Sequence, residues 1–189
     1  MDIDANNIKS FQATGNQQAF GELMRKYKDR VFNFCLCYLE KYDDADDCTQ
    51  EIFIKLYENL HTFRFEAKFS TWLYRIMINS CKNMKRSKHY SMRGRIQETD
   101  ISGASLEEIN NCSHSPEKVL INEELGRAIR EAIQTLKGSQ KMVLIMSDID
   151  GRAYEEIAKI TNFKIGTVKS KLARARLKVA EILKSKNIT

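Results

Sequence analysis

Ile165-Gly166-Thr167-Val168-Lys169-Ser170-Lys171-Leu172-Ala173-Arg174-Ala175-Arg176 is the stretch that decides how this chain is read. At about 100° per residue, Val168, Leu172, Ala175, Val179 and Ile182 fall on one side of a helix, and Lys169, Ser170, Ala173 and Arg174 on the other. No carboxylate occurs between Lys164 and Lys178. The outer side therefore meets phosphates without repulsion, and small Ser170 and Ala173 let the helix axis come close to base edges. Taken alone, the segment also fits a solvated cationic face on an ordinary amphipathic helix. The residues just before it favour the first reading. Tyr154-Glu155-Glu156-Ile157-Ala158-Lys159-Ile160 has the length and apolar spacing of a short helix, and Thr161-Asn162-Phe163-Lys164 supplies a tight connection. Two helices so joined predict a helix-turn-helix, with Ala158 at the crossing and Ile157, Ile160, Phe163 and Ile165 filling the angle.

The rest of the chain sets the frame. One proline and eight glycines in 189 residues, with apolar positions recurring every three or four residues, predict an all-α protein. The 42% hydrophobic share is enough for packed cores. The net charge of +6 is unevenly placed. Lys82, Lys85, Arg86, Lys88, Arg93 and Arg95 form a basic block, whereas Glu40, Asp43, Asp44, Asp46, Asp47, Glu51 and Glu58 crowd a stretch holding only Lys41 and Lys55. Separate positive and negative surfaces point to nucleic acid plus a protein partner. Neither a secretory leader nor an apolar run near the roughly 20 residues of a membrane span is evident, so a cytoplasmic protein without direct membrane insertion is expected. Cys35, Cys37, Cys48 and Cys81 fall on apolar helix positions and read as buried thiols, with Cys112 apart. His61, His89 and His114 are scattered, so neither metal nor cofactor is expected.

Ala19, Phe20, Leu23, Met24, Tyr27, Val31, Phe34, Cys35 and Tyr38 predict a long first helix. Asp43 to Asp47 offer N-caps and first-turn acids for a second, which carries Cys48, Ile52, Phe53, Leu56, Tyr57 and Leu60 inward. Phe63-Arg64-Phe65-Glu66-Ala67-Lys68-Phe69 is too aromatic for a plain linker. Ser70 is the expected N-cap of a third helix with Phe69, Trp72, Leu73, Ile76, Cys81 and Met84 inside, and Tyr74, Asn79, Lys82, Asn83 and Arg86 outside. A basic, amide-bearing helix beside an aromatic loop suits unstacked single-stranded bases, although Trp72 equally fits a core position. Periodicity then dissolves between Tyr90 and Ser115. Val119 to Leu136 predict a fourth helix, and Gln140 to Asp148 a short apolar one before the helix-turn-helix. The expected plan is an N-terminal helical domain over 1–89, a flexible linker over 90–117 and a C-terminal helix-turn-helix domain over 118–189.

These residues resemble the extracytoplasmic-function group of bacterial sigma factors. Asp43-Asp44-Ala45-Asp46-Asp47-Cys48-Thr49-Gln50-Glu51-Ile52-Phe53 is similar to that family's polymerase-binding segment. Phe69-Ser70-Thr71-Trp72-Leu73-Tyr74-Arg75-Ile76, with Asn79, is similar to its promoter-melting helix. Asp148-Ile149-Asp150-Gly151, Tyr154-Glu155-Glu156-Ile157-Ala158 and Gly166-Thr167-Val168-Lys169-Ser170 are similar to its reader of the minus-35 element. The chain departs from the family in having Lys137 after Leu136 where a proline is frequent, Lys141 at an arginine position, and Ala153 where a capping serine is common.

The resemblance implies a transcription initiation factor. Asp47, Gln50 and Glu51 would dock on core RNA polymerase. Phe63, Arg64, Phe69, Trp72, Asn79, Lys82, Asn83 and Arg86 would hold unpaired minus-10 bases. Lys169, Ser170 and Arg174 would read minus-35 base edges in the major groove, with Thr167, Lys171 and Arg176 nearer the phosphates. It further implies a chain that is monomeric on its own, bound by an anti-sigma factor, and not an enzyme. The last agrees with the lack of a phosphate-cradling glycine loop or a catalytic constellation. Two other readings explain less. A stand-alone helix-turn-helix regulator leaves the acidic helix and aromatic loop without a role, and a recombinase needs clustered arginines around a nucleophile, whereas Arg25, Arg30, Arg64 and Arg75 are dispersed.

Overall fold

A computed structural model describes residues 3–94 and 116–186, and among these every regular element is helical. The N-terminal unit comprises α1 (Ile3–Thr14), α2 (Gln17–Leu39), α3 (Tyr42–Asn59) and α4 (Phe69–Gly94). The C-terminal unit comprises α5 (Pro116–Gln134), α6 (Gly138–Leu144), α7 (Tyr154–Thr161) and α8 (Ile165–Ser185), with one π-helical turn at Ile145–Ile149. Helix α4 runs on to Gly94 and α5 opens at Pro116, with residues 95–115 between them. That stretch, with Arg95, Cys112 and His114, lies outside the described residues.

Helix α1 is an addition to the expected plan. It is only weakly amphipathic, yet it buries Ile8 and Phe11 against α2 and sends Asp4 inward to meet the Tyr27 hydroxyl, which donates at 2.6 Å, and Lys26 at 2.5 Å. Gly15, at φ 67°, turns the chain, and the Asn16 side chain accepts from the Gln18 and Ala19 amides to cap α2. The long apolar face read over Ala19 to Tyr38 is buried as expected and packs against α3 and α4.

Some local expectations shift by a turn. Helix α3 starts after Lys41, so Asp43 and Asp44 are first-turn acids facing the helix dipole instead of caps. Ser70 lies inside the first turn of α4, which begins at Phe69, and is not its N-cap. Tyr57 stays 44% exposed, laying its ring edge-on to Phe11 and Phe20 without entering the core.

The two units are not independent beads. One apolar core runs through both, with α7 packed on α4 and both α5 and α6 packed on α2. Lys141 marks the join. Its side chain is 1% exposed, and its ammonium donates to Glu40 Oε1 at 3.1 Å, to the Tyr38 carbonyl at 3.5 Å and to the Gln134 amide oxygen. Burial pulls this lysine below its ordinary range, and the contact with Glu40 opposes that shift. Glu40 holds φ at 85°, the left-handed exit of α2, so the cation from α6 satisfies the end of a helix in the other unit.

Candidate nucleic-acid and polymerase interfaces

The helix-turn-helix forms as its spacing predicts. Helix α7 ends at Thr161, Asn162 takes the left-handed conformation at φ 58°, and α8 begins three residues later. Short polar side chains tolerate that backbone better than most, so the turn needs no glycine. Ala153 supplies no side-chain cap, and α7 starts on Glu155 and Glu156 in its first turn. Val168, Leu172 and Ala175 are buried together with Ile157 and Ile160. Ile165 was expected in the angle between the helices but is 41% exposed, because it opens α8 beyond the crossing.

The outer face of α8 is left clear. Lys169 and Arg174 are exposed and have no internal partner among the described residues, and the exposed Ser170 hydroxyl donates back to the Thr167 carbonyl at 3.1 Å. The flanking cations are engaged. Lys171 donates to Ser139 Oγ at 3.1 Å and sits 5.2 Å from the Phe163 ring centroid. Arg176 grips Asp148 through two bonds, Nε to Oδ2 at 2.9 Å and Nη2 to Oδ1 at 2.7 Å, which holds the Asp148 carboxyl below its usual range. Of the six cations and hydroxyls expected to face DNA here, Thr167 is half-buried and Arg176 is already committed to a carboxylate.

The aromatic loop has an inside and an outside. Phe63 and Phe69 are 7% and 5% exposed, and their rings pack on each other at 5.9 Å and on Trp72 at 5.2 and 6.0 Å. Phe69 also meets Tyr27 edge-on at 5.4 Å. These rings hold the loop to the domain. The ring that faces out is Phe65, 40% exposed, carried at φ 59° and approached by Lys9 at 5.7 Å. With Ala5, Ile8, Phe63, Ala67, Lys68 and Phe69 it lines a cavity of about 240 Å³. Of the other residues expected to meet the melted strand, Arg64 on the loop and Asn79, Asn83 and Arg86 along α4 are exposed, and Lys82 and Trp72 are half-buried.

Tyr74 corrects the sequence reading. Expected outside, it is fully buried between the two units. Its hydroxyl donates to Asp150 Oδ2 at 2.8 Å, and the Arg152 guanidinium covers its ring at 4.7 Å. Arg152 also reaches Ser70 Oγ at 3.3 Å and Glu156 at 3.5 Å. Lys68 meets Glu156 at 3.3 Å, and Arg75 donates to the Lys159 carbonyl at 2.7 Å. Burial raises both Tyr74 and Asp150 above their ordinary values. Nothing in helical periodicity announces these contacts, since the second unit is what converts an outer position of α4 into a core one.

The acidic face of α3 is open. Asp47 and Gln50 are exposed, the Gln50 amide donating to Asp46 at 2.8 Å, while the half-exposed Glu51 pairs with Lys55, which also reaches Ser80 Oγ at 3.1 Å. Among the described residues no helix is long and apolar enough to cross a membrane.

Comparison with known proteins agrees with this architecture. Residues 23–90 match the family model Sigma-70 region 2, and residues 126–179 match Sigma-70, region 4. The chain is 36% identical over 167 residues to the ECF RNA polymerase sigma-E factor of Escherichia coli strain K12, spanning 86% of this chain and 85% of that protein. It is 32% identical over 168 residues to the RNA polymerase sigma-H factor of Pseudomonas aeruginosa, covering 86% and 84%. The fold is shared with CnrH, solved in complex with the cytosolic domain of CnrY, at a TM-score of 0.71 and 21% identity over 97% of this chain and 99% of that one. It is also shared with the sigma factor RpoE of Bartonella quintana, solved with the anti-sigma factor NepR, at a TM-score of 0.66 and 22% identity over 87% and 96%. An acidic helix, an aromatic loop beside a basic helix and a helix-turn-helix thus occur in family order, and the chain belongs to the extracytoplasmic-function sigma factors of the sigma-70 family, whose members are promoter-specific transcription initiation factors.

Proposed function

We propose a division of labour among three surfaces, with residues 1–89 as the polymerase-binding and minus-10 domain, 90–117 as a flexible linker and 118–189 as the minus-35 domain. Asp47, Gln50 and Glu51 dock on a basic surface of core RNA polymerase, where an exposed anionic helix gains association rate and register from charge complementarity. Arg64, Asn79, Lys82, Asn83 and Arg86 line the path of the melted strand. The cavity edged by Phe65 and Lys68 receives an unstacked base, with Phe63 and Phe69 as its wall and Trp72 packed behind them. Flipping a base costs a few kcal/mol and is offset by stacking worth roughly 1–3 kcal/mol per base. Lys169, Ser170 and Arg174 read base edges in the major groove, while Thr167, Lys171 and Arg176 approach phosphates. The chain itself makes and breaks no bond, and nucleotide chemistry belongs to the polymerase. It works in the cytoplasm as a monomer when free, without entering the membrane.

One observation carries this reading: the outer face of α8 keeps Lys169 and Arg174 unpaired while Lys171 and Arg176 on the same helix are engaged. The contacts from Tyr74 to Asp150 and from Arg75 to Lys159 hold α7 against the melting helix α4, so this closed arrangement parts when the two units reach separate promoter elements. An inhibitor of the anti-sigma kind acts by keeping those surfaces covered.

The test is to mix the chain with core polymerase, capture the complex and sequence the transcript starts it directs. Starts sharing two spaced elements support the proposal. Tight binding to duplex promoter fragments without polymerase, and no capture by polymerase at physiological salt, would sink it.

A further inference from the structure

Beneath the acidic face of α3 lies a feature that promoter recognition does not use. Cys35 of α2, Cys48 of α3 and Cys81 of α4 are each fully buried and point at a common spot. Cys81 Sγ lies 3.7 Å from Cys48 Sγ and 3.7 Å from Cys35 Sγ, and all three sulfurs lie within 4.8 Å of one another. Thiolate–metal bonds of about 2.3 Å place sulfurs of one coordination sphere roughly 3.8–4.0 Å apart. The triangle therefore already has the dimensions of a three-sulfur coordination face, with only slight movement of three side chains needed to admit an ion.

The donor set narrows which ion. Three sulfurs and no oxygen or imidazole select a soft metal. Structural zinc sites close with four ligands, and zinc sites with three protein ligands keep a water in the fourth position. Here, among the described residues, no fourth cysteine, histidine or carboxylate joins the group; Ala45, Ile52 and Leu56 of α3 and Phe34 of α2 are buried in the same core, and the buried Thr49 hydroxyl near Cys35 already donates to the Ala45 carbonyl at 2.7 Å. A water ligand would be stranded there.

We propose that Cys35, Cys48 and Cys81 form a binding site for cuprous copper, held by three sulfurs. The ion ties together the three helices that carry the N-terminal core, directly beneath Asp47 and Gln50 on the outer side of α3. Cys37, on α2 but turned away from the triangle and half-buried, takes no part.

The experiment is anaerobic equilibrium dialysis of the reduced full-length chain against Cu(I) held by a competing chelator, continued until the copper content is constant, with a parallel dialysis against Zn(II). The wild type is expected to retain one copper per chain, to release protons on loading as the ligating thiols become thiolates, and to melt at a higher temperature than the metal-free chain, since a ligand bound only by the folded state raises its stability. Cys81→Ser, which removes the sulfur touching both others, loses the copper and the thermal shift. Cys48→Ala does the same, and Cys37→Ser keeps both. Circular dichroism establishes that each variant is helical, and if Cys81→Ser fails to fold, Cys48→Ala decides the comparison. No copper in the wild type, equal copper in a folded Cys48→Ala chain, or retention of one zinc in place of copper overturns the proposal.

Discussion

Helices α4 and α8 are both long, amphipathic and cationic on their outer sides, yet they meet their surroundings differently. The outer face of α8 carries Lys169 and Arg174 into solvent without a partner, whereas α4 is held on two sides. Its first turns are clasped by α7 and the turn before it through Ser70, Tyr74 and Arg75, and its aromatic entry is folded into a cluster of Phe63, Phe69 and Trp72. A helix that reads an intact duplex needs only a rigid exposed face. One that captures unpaired bases needs a shaped wall, and aromatic rings can form a wall only if other residues fix them in place.

If α4 is a wall, emptying it damages the fold before it damages recognition. Tyr74→Ala or Phe69→Ala removes a buried ring and should destabilise the chain by about 3–5 kcal/mol in denaturant unfolding. A loss below about 1 kcal/mol would mean that these rings are as free as the outer face of α8, and the contrast would fail. Arg174→Ala probes the other side. It should leave the unfolding midpoint in place while weakening polymerase-dependent binding at specific promoters by roughly 1–3 kcal/mol. Equal weakening on random DNA would reassign Arg174 to the phosphates.

The clasp itself is the third point of attack. Arg152→Ala removes a cation from the face of Tyr74 together with its contacts to Ser70 and Glu156. A desolvated cation–π contact contributes up to about 2 kcal/mol, so the two units should separate more readily, which a larger radius of gyration in solution scattering would report. An unchanged radius would locate the clasp elsewhere, at Lys141.

The smallest effect is in pH, where two neighbouring carboxyls have opposite signs. Asp148 is lowered by its bonds from Arg176, so its contribution is present above the ordinary aspartate value of 3.8 and is lost as pH falls through its lowered folded value. Because Arg176 is about half exposed, that contribution is only about 0.2–1 kcal/mol. Asp150 is raised by burial, so its protonated form is favoured in the fold, and that advantage is full below 3.8 and disappears as pH rises through its higher folded value. Asp148→Asn should therefore flatten the acid limb of the stability curve, and Asp150→Asn should flatten the limb just above it. Matching curves for the two variants would contradict the assignment.

The residues that could be read from the sequence are those whose fate depends on near neighbours. Val168, Leu172 and Ala175 share a stripe because the helix repeats every 3.6 residues, and Asn162 can turn the chain because its own side chain tolerates the left-handed conformation. The acidic run on α3 and the bare outer face of α8 were legible for the same reason. Tyr74 was not: on α4 alone it belongs outside, and Phe34 of α2 together with Asp150 and Arg152, far along the chain, brings it in. Phe63 was legible as aromatic but not as buried, because which ring of a loop is covered depends on Phe69 and Trp72 of the helix that follows it.

The amino-acid order by itself determined an all-helical protein, the helix-turn-helix, an anionic helix and two cationic ones, since period, turn chemistry and charge are all written within a few residues of each other. Tertiary structure alone decided the meeting of Arg176 with Asp148, the burial of Lys141 against the end of α2 and the gathering of three sulfurs from three helices. Each of these joins groups distant along the chain, and what joins them is the burial of a shared apolar core, which no local pattern encodes.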